Sequence, residues 1–113
     1  GGVHAREVFW VAPEVYEYGY DELSEKSDVF SYGIVLYEMI SGGWVPFFGV
    51  IEKKQVFENY KNADYGNLIE KAWPKEYGAL ILRCIHPEKQ KRPTFAQVVD
   101  DIERLGVADE HLE

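Results

Sequence analysis

The chain has 113 residues, of which 46% are hydrophobic and 15% aromatic, which is enough for one domain with an apolar core. This composition excludes disordered and low-complexity proteins. Twelve basic against twenty acidic side chains give a formal net charge of −8, which argues against non-specific binding to nucleic acid or to an anionic membrane, because both need a basic patch.

The cysteine count and the absence of long apolar stretches restrict the setting of the protein. A single cysteine, Cys84, excludes an intramolecular disulfide and any multi-cysteine zinc site. No apolar stretch approaches the roughly 20 residues that cross a bilayer. The amino terminus has no apolar signal core and no starting methionine. We therefore expect a reducing, cytoplasmic setting and a chain that begins inside a longer protein.

The first predicted elements are a loop and a short helix. Pro13 favours extended geometry at Ala12, so we expect a loop that leads into a short helix at Glu14–Tyr18. Residues 19–27 are polar and contain turn formers, which predicts a connector.

The strongest predicted element covers residues 28–40. Its apolar side chains occur on nearly all sides and it stops before Gly42, which predicts a buried helix. Ser27 or Asp28 would supply the oxygen that caps its first turn. The β-branched residues at 34–35 leave a buried strand as the alternative.

The middle of the chain alternates loops and helices. Residues 42–49 are predicted as a turn-rich loop with exposed aromatic side chains, residues 50–60 as a weaker helix and residues 61–72 as a loop. Pro74 suits the first turn of a further helix. The apolar residues that follow at helical spacing are Tyr77, Leu80, Ile81, Cys84 and Ile85.

The last helix is predicted from its cap and its periodicity. Residues 86–92 form a charged loop, after which Thr94 and Gln97 match a capping box and Gly106 supplies the stop. The side chains predicted to share one helical face are Phe95, Val98, Val99, Ile102 and Leu105. Residues 107–113 are predicted to be an acidic, frayed tail. Because no segment alternates as a strand would, the expected fold class is all-α.

Local chemistry gives few indications of function. The sequence has no glycine-rich phosphate loop, and its three histidines have neither the spacing nor the neighbours of metal ligands. The acidic run at 21–28 lacks the glycine and spacing of a calcium loop. Taken alone, composition and periodicity therefore predict only an acidic helical domain.

The order of short motifs is more specific. Trp-Val-Ala-Pro-Glu at 10–14 is followed by Lys-Ser-Asp-Val-Phe-Ser-Tyr-Gly at 26–33, by Pro-Phe at 46–47 and by Arg-Pro-Thr-Phe at 92–95. In this order and spacing, residues 5–105 resemble the C-terminal part of a protein kinase domain, from the end of the activation segment to the last helix. The pattern looks closer to the tyrosine-kinase-like group than to other serine/threonine kinases.

This resemblance implies a fold and a domain organisation. Residues 1–106 would be a partial kinase domain, the C-terminal helical subdomain without the N-terminal lobe and the catalytic loop, and residues 107–113 would be an acidic tail. Glu14 and Arg92 match a buried ion pair that ties the end of the activation segment to the helical lobe. Asp28 matches the aspartate that anchors the catalytic loop by accepting hydrogen bonds from its backbone amides.

The resemblance also implies where a substrate would contact the chain. The loop that receives the substrate residue after the phosphoacceptor, called here the substrate-side loop, corresponds to Glu7, Val8, Phe9, Trp10 and Val11. Residues 50–60 match a helix that often docks substrates and regulators in this family. We therefore expect a protein substrate or regulator and the remainder of the kinase domain as partners, and neither nucleic acid nor membrane.

Several features of an active kinase are absent from the sequence. It contains no His-Arg-Asp, no Asp-Phe-Gly and no glycine-rich loop, which the family places upstream of Ala12, so we assign no catalytic or metal-binding residue here. Glu7 stands where serine/threonine kinases commonly have a threonine, and the proline found near there in many tyrosine kinases is absent too. ATP and magnesium are implied only for the intact parent, and the 113-residue chain is expected to be inactive alone.

Three functions remain open at this point. The leading one is a kinase C-lobe whose intact parent transfers the γ-phosphate of ATP to a protein serine, threonine or tyrosine hydroxyl. The second is a pseudokinase or truncated relic that acts as a protein-binding module. The third is an unrelated helical adaptor, which requires the ordered motifs to be a coincidence.

Overall fold

The computed structural model describes residues 7–70 and 73–106, and every regular element in those ranges is helical. The α-helices are α1 (Pro13–Tyr18), α2 (Glu25–Ser41), α3 (Lys53–Lys61), α4 (Lys75–Cys84) and α5 (Phe95–Leu105). Three 3₁₀ turns cover Glu7–Phe9, Tyr20–Glu22 and Lys89–Lys91. The all-α fold class is confirmed, and residues 34–35 lie in a helix. The acidic tail predicted at 107–113 lies outside the described residues.

Helix α2 begins three residues before its predicted start, and its cap was predicted at the wrong residue. Ser24, in extended geometry, caps the helix: its Oγ accepts a hydrogen bond from the Ser27 N–H at 3.3 Å. The Oγ of Ser27 in turn accepts from the Ser24 N–H at 2.7 Å, so that two serines form a capping box. The sequence analysis missed it because the residue that reaches back is usually Glu or Gln.

The core is built where α2 crosses α4. Val29, Phe30 and Ile34 of α2 have no exposed surface, and every apolar residue predicted for the buried face of α4 is buried. Gly33 permits this approach, because a Cβ placed on it would lie 2.6 Å from Cβ of Cys84. Close packing of α2 on α4 therefore depends on a missing side chain.

Helix α5 closes the described part of the chain, and its predicted capping box is confirmed. The N–H of Gln97 donates to Oγ1 of Thr94 at 3.2 Å, and the N–H of Thr94 donates to Oε1 of Gln97 at 2.9 Å. The prediction that Val99 shares the buried face is wrong: Val98 is fully buried, whereas Val99 is 52% exposed. Val98 is the one fully buried residue of α5, so the covered face of this helix is too narrow to include Val99, which lies about 100° further around the helix.

Two predicted loops contain more structure than their sequences suggest, and one helix starts late. The connector at 19–27 and the charged loop at 86–92 each include a 3₁₀ turn. Helix α3 begins at Lys53 and not at Val50, which is half-buried in the preceding loop. Residues 42–49 are a loop as predicted, and Trp44 and Phe48 in it are both exposed and pack edge to face at 4.8 Å.

Candidate functional site

The substrate-side loop, residues 7–11, is a tight turn folded onto the core. The N–H groups of Trp10 and Val11 both donate to the carbonyl of Glu7, at 2.9 and 3.0 Å. Val8 is 1% exposed and belongs to the core cluster. Backbone hydrogen bonds and one buried apolar anchor therefore hold this loop in a single geometry.

Side chains from two helices fix the centre of this loop. The hydroxyl of Tyr60 in α3 donates to the carbonyl of Phe9 at 2.6 Å, and the hydroxyl of Ser31 in α2 donates to the carbonyl of Trp10 at 2.6 Å. The indole Nε1–H of Trp10 donates to Oε1 of Glu38 at 2.5 Å. Burial raises the pKa of Tyr60 well above its usual value, so its hydroxyl stays protonated over a wider pH range than that of an exposed tyrosine.

The start of the loop has a separate hydrogen bond. The hydroxyl of Tyr20, in the second 3₁₀ turn, donates to Oε2 of Glu7 at 2.8 Å. This hydrogen bond to the carboxylate is the main reason that the pKa of Tyr20 is raised. In contrast to the Tyr60 contact, this one is exposed to solvent.

An open, mostly apolar cavity of about 280 Å³ lies beside the loop. Its lining residues are Phe9, Trp10, Glu38, Gly43, Val45 and Phe48. The cavity thus joins the substrate-side loop to the end of α2 and to the loop that follows it.

Glu14 and Arg92 meet although 78 residues separate them. Nη1 of Arg92 lies 2.7 Å from Oε2 of Glu14, and Nη2 lies 2.9 Å from Oε1, so the carboxylate is gripped by two parallel hydrogen bonds. The Arg92 side chain has no exposed surface and that of Glu14 is 11% exposed. The structure therefore brings together the two residues that the resemblance pairs.

The guanidinium of Arg92 uses all five of its N–H groups. Besides the two bonds to Glu14, it donates to the carbonyls of His86 at 2.7 Å, Lys26 at 3.1 Å and Pro87 at 3.4 Å. Its Cζ also lies 5.0 Å from the ring centre of Phe30, in cation–π geometry. Arg92 thus joins α1, the start of α2 and the loop after α4, which a lysine with one point charge would not reproduce.

Local sequence places both partners. Pro13 occupies the first position of α1, where its fixed φ suits a helix, so that Glu14 lies in the first turn. Pro93 favours extended backbone at Arg92, which ends the preceding 3₁₀ turn there. Lys26 completes the arrangement because its Nζ donates to the carbonyl of Arg92.

Asp28 lies apart from this ion pair. It is exposed in the first turns of α2, and no hydrogen bond or ion pair joins its carboxylate to another residue in the ranges 7–70 and 73–106. The geometry leaves its carboxylate available to a group outside those ranges.

The sequence analysis missed the side chains that hold the substrate-side loop, namely Tyr20, Ser31, Glu38 and Tyr60. Their separations from the loop residues that they contact are 13, 21, 28 and 51 positions. No local pattern reports such contacts. The only signal is that a buried tyrosine hydroxyl must find an acceptor.

The described residues contain neither a metal-binding cluster nor a membrane-spanning helix. Between residues 7 and 106, leaving out 71–72, no group of three or more His, Cys, Asp or Glu side chains is placed to hold a metal ion. No helix in the same ranges is long and apolar enough to cross a membrane.

Comparison with known proteins shows to which family the chain is similar. The sequence model described as protein tyrosine and serine/threonine kinase matches residues 2–102. The chain is 37% identical over 99 residues to the probable serine/threonine-protein kinase drkD of Dictyostelium discoideum, covering 85% of this chain and 7% of that protein. It is 36% identical over 107 residues to the tyrosine-protein kinase Src64B of Drosophila melanogaster, covering 91% of this chain and 18% of that protein.

A third relative is a receptor. The chain is 37% identical over 98 residues to vascular endothelial growth factor receptor 1 of Mus musculus, covering 86% of this chain and 7% of the receptor. The chain thus spans less than a fifth of the length of each of these relatives. With its ordered motifs, its helical fold and these matches, the chain belongs to the protein tyrosine and serine/threonine kinase family and is a portion of the kinase C-lobe.

Proposed function

We propose that the intact parent transfers the γ-phosphate of ATP to a hydroxyl of a protein substrate, and that this chain supplies the substrate-side loop and the helical scaffold. One observation carries the proposal: four side chains from α2, α3 and the second 3₁₀ turn hydrogen-bond residues 7–10. A loop held so firmly is suited to binding a peptide in one register, because little conformational entropy is lost when the substrate binds.

The ion pair contributes by fixing where that loop ends. Glu14 follows the loop by three residues, and Arg92 connects it to carbonyls of two distant segments. We assign to Glu14 and Arg92 the role of a clamp between the end of the activation segment and the lobe. Asp28 is assigned as the anchor of the catalytic loop, since its exposed carboxylate is free to accept backbone hydrogen bonds without breaking any contact within the described ranges.

ATP and magnesium would be held by residues outside this chain. The described residues contain no metal-binding cluster, and the family places its lysine, catalytic aspartate and metal ligands upstream of Ala12. Bound Mg·ATP supplies the phosphoryl group and neutralises its charge. The residues of this chain orient the acceptor side of the substrate.

The proposed partners are the remainder of the kinase domain and a protein substrate or regulator. The cavity beside Phe9 and Trp10 and the exposed side of α3 are the surfaces that we assign to the latter. The relatives include both serine/threonine and tyrosine kinases, so the proposal covers both classes of acceptor hydroxyl.

A pair of matched substitutions tests the role of the loop. Tyr60→Phe deletes the bond to the Phe9 carbonyl, whereas Tyr77→Phe deletes a buried tyrosine bond to the carbonyl of Leu36, away from the loop. In the intact parent domain, with its N-terminal lobe and catalytic loop, Tyr60→Phe should raise KM for a protein substrate several-fold and Tyr77→Phe should not. Equal effects on KM would show that the loop is not a substrate site.

One observation favours a second candidate, a pseudokinase that binds proteins. Glu7 replaces the threonine common in serine/threonine kinases, and this carboxylate is already engaged by Tyr20. Reading the coding sequence upstream of Gly1 separates the two functions. An active parent requires a lysine-bearing strand, a catalytic loop and a metal-binding aspartate there, and a binding module does not.

A further inference from the structure

Only two of the eight tyrosines in the chain are exposed: Tyr18, at 69%, and Tyr20, at 44%. The other six, Tyr16, Tyr32, Tyr37, Tyr60, Tyr65 and Tyr77, are buried or half-buried. Tyr18 and Tyr20 are therefore the tyrosines whose side chains an external enzyme can reach most easily in the folded chain.

Of the two, Tyr20 contacts the candidate functional site. Its hydroxyl donates a hydrogen bond to Oε2 of Glu7, the first residue of the substrate-side loop. The carbonyl of that same glutamate accepts the N–H groups of Trp10 and Val11. A change at the Tyr20 hydroxyl is thus one contact away from the turn that shapes the loop.

We propose that Tyr20 is a tyrosine phosphorylation site, and that its phosphate releases Glu7 and loosens the start of the substrate-side loop. The modification itself is independent of the proposed function, and only its consequence for substrate binding rests on that function. The chemical reason is a change of role: the hydroxyl is a donor to a carboxylate, whereas a phosphate ester carries only acceptor oxygens and about −1.5 to −2 charges at pH 7.

The reaction needs a protein tyrosine kinase acting on this chain and a nucleoside triphosphate. A bond forms between Oη of Tyr20 and the γ-phosphorus, the bond from that phosphorus to the bridging oxygen of ATP breaks, and ADP leaves. The phenolic proton passes to the base of the kinase and then to solvent.

The charges around the turn act in the same direction. Asp21 and Glu22 adjoin Tyr20 in the sequence, and Glu7 lies 2.8 Å from its hydroxyl, so a phosphate would be placed among carboxylates. Lys89 brings one cation to this turn, at 3.6 Å from Glu22. Repulsion between the phosphate and Glu7 separates the phosphorylated turn from the loop, and Lys89 offers the phosphate a cation in place of the lost contact.

Mass spectrometry after incubation of the chain with a purified tyrosine kinase catalytic domain and Mg·ATP tests the site. We expect phosphate on Tyr20 in the wild-type chain and in Tyr18→Phe. Phosphate on Tyr18 alone would overturn the assignment. So would labelling of Tyr20 only to the same extent as the buried tyrosines, because that pattern would show that the chain is phosphorylated in an unfolded state.

Hydrogen exchange of the Trp10 and Val11 amides tests the release. Loss of the hydrogen bond between Tyr20 and Glu7 should accelerate their exchange by about 2- to 10-fold. We expect this acceleration in the Tyr20→Phe variant and also in the Tyr18→Phe variant after phosphorylation of its Tyr20. Unphosphorylated Tyr18→Phe is the matched control and should exchange like the wild type. Amides in the middle of α2 should be unchanged in all variants, which shows that the fold is intact.

Phosphate on Tyr20 without faster exchange at Trp10 and Val11 would refute the proposed release. Neither measurement uses a substrate or kinase activity of the parent. If the parent proves inactive, the phosphorylation and the release stand or fall on these data alone.

Discussion

The ion pair between Glu14 and Arg92 permits a sharp test of the structure. We consider Arg92→Met, Glu14→Gln and the double variant, each measured by urea unfolding at pH 7 and followed by circular dichroism. The pair is bidentate and almost completely buried, with side-chain exposures of 0% and 11%. Removing one partner of a buried pair leaves an uncompensated charge, and each single substitution should lower the free energy of unfolding by about 3–5 kcal/mol.

The two single variants should not be equal. In Glu14→Gln the guanidinium keeps its three carbonyl acceptors, at His86, Lys26 and Pro87. In Arg92→Met those three carbonyls lose their donor in addition to the stranded carboxylate, so its loss of stability should be the larger. The double variant leaves no unpaired charge. Its loss of unfolding free energy should therefore be smaller than the sum of the two single losses, by about 0.5–3 kcal/mol.

Two further variants complete the test. Arg92→Lys should recover only part of the stability, because an ammonium cannot form the two parallel bonds. Lys91→Met removes the neighbouring pair with Glu88, whose side chains are 62% and 61% exposed, and should hardly change the unfolding midpoint. Strictly additive single effects, each below about 1 kcal/mol, would refute the clamp.

Four other predictions follow from the packing and from the sequence. Gly33→Ala should lower the urea midpoint of unfolding markedly, because the alanine Cβ would lie 2.6 Å from Cβ of Cys84. A midpoint equal to that of the wild type would contradict the packing of α2 on α4. Burial raises the pKa of the Cys84 thiol to about 11, so a thiol reagent at pH 8 should label the folded chain far more slowly than the chain in urea, and equal rates would show that Cys84 is accessible. Burial also raises the pKa of Tyr65 to about 12. Because Cys84 and Tyr65 both ionise more easily in the unfolded chain, the free energy of unfolding should be constant below about pH 9 and should fall as the pH rises toward 12. Urea unfolding at several pH values checks this. The 113-residue chain should neither bind Mg·ATP nor phosphorylate a protein, and label transfer above a no-enzyme control would contradict this.

The predicted helices show how far local patterns reach. The capping box at Thr94 and Gln97 and the apolar spacing of α4 were predicted correctly because both signals lie within a few residues of one another. The start of α2 was predicted at the wrong residue, because serine seldom fills both positions of a capping box. Val99 was assigned to the buried face from its helical spacing, but only the packing of α5 decides which of two adjacent valines is covered.

Short segments of the chain are enough to predict the helical class, the order of the helices and, through the motifs, the kinase resemblance. The side chains that hold the substrate-side loop are known only from the packed fold. Tyr60 reaches Phe9 across 51 residues and Tyr20 reaches Glu7 across 13. Such contacts arise when a buried or exposed hydroxyl finds whichever acceptor the packed helices bring to it, and this depends on the whole fold and not on any local pattern.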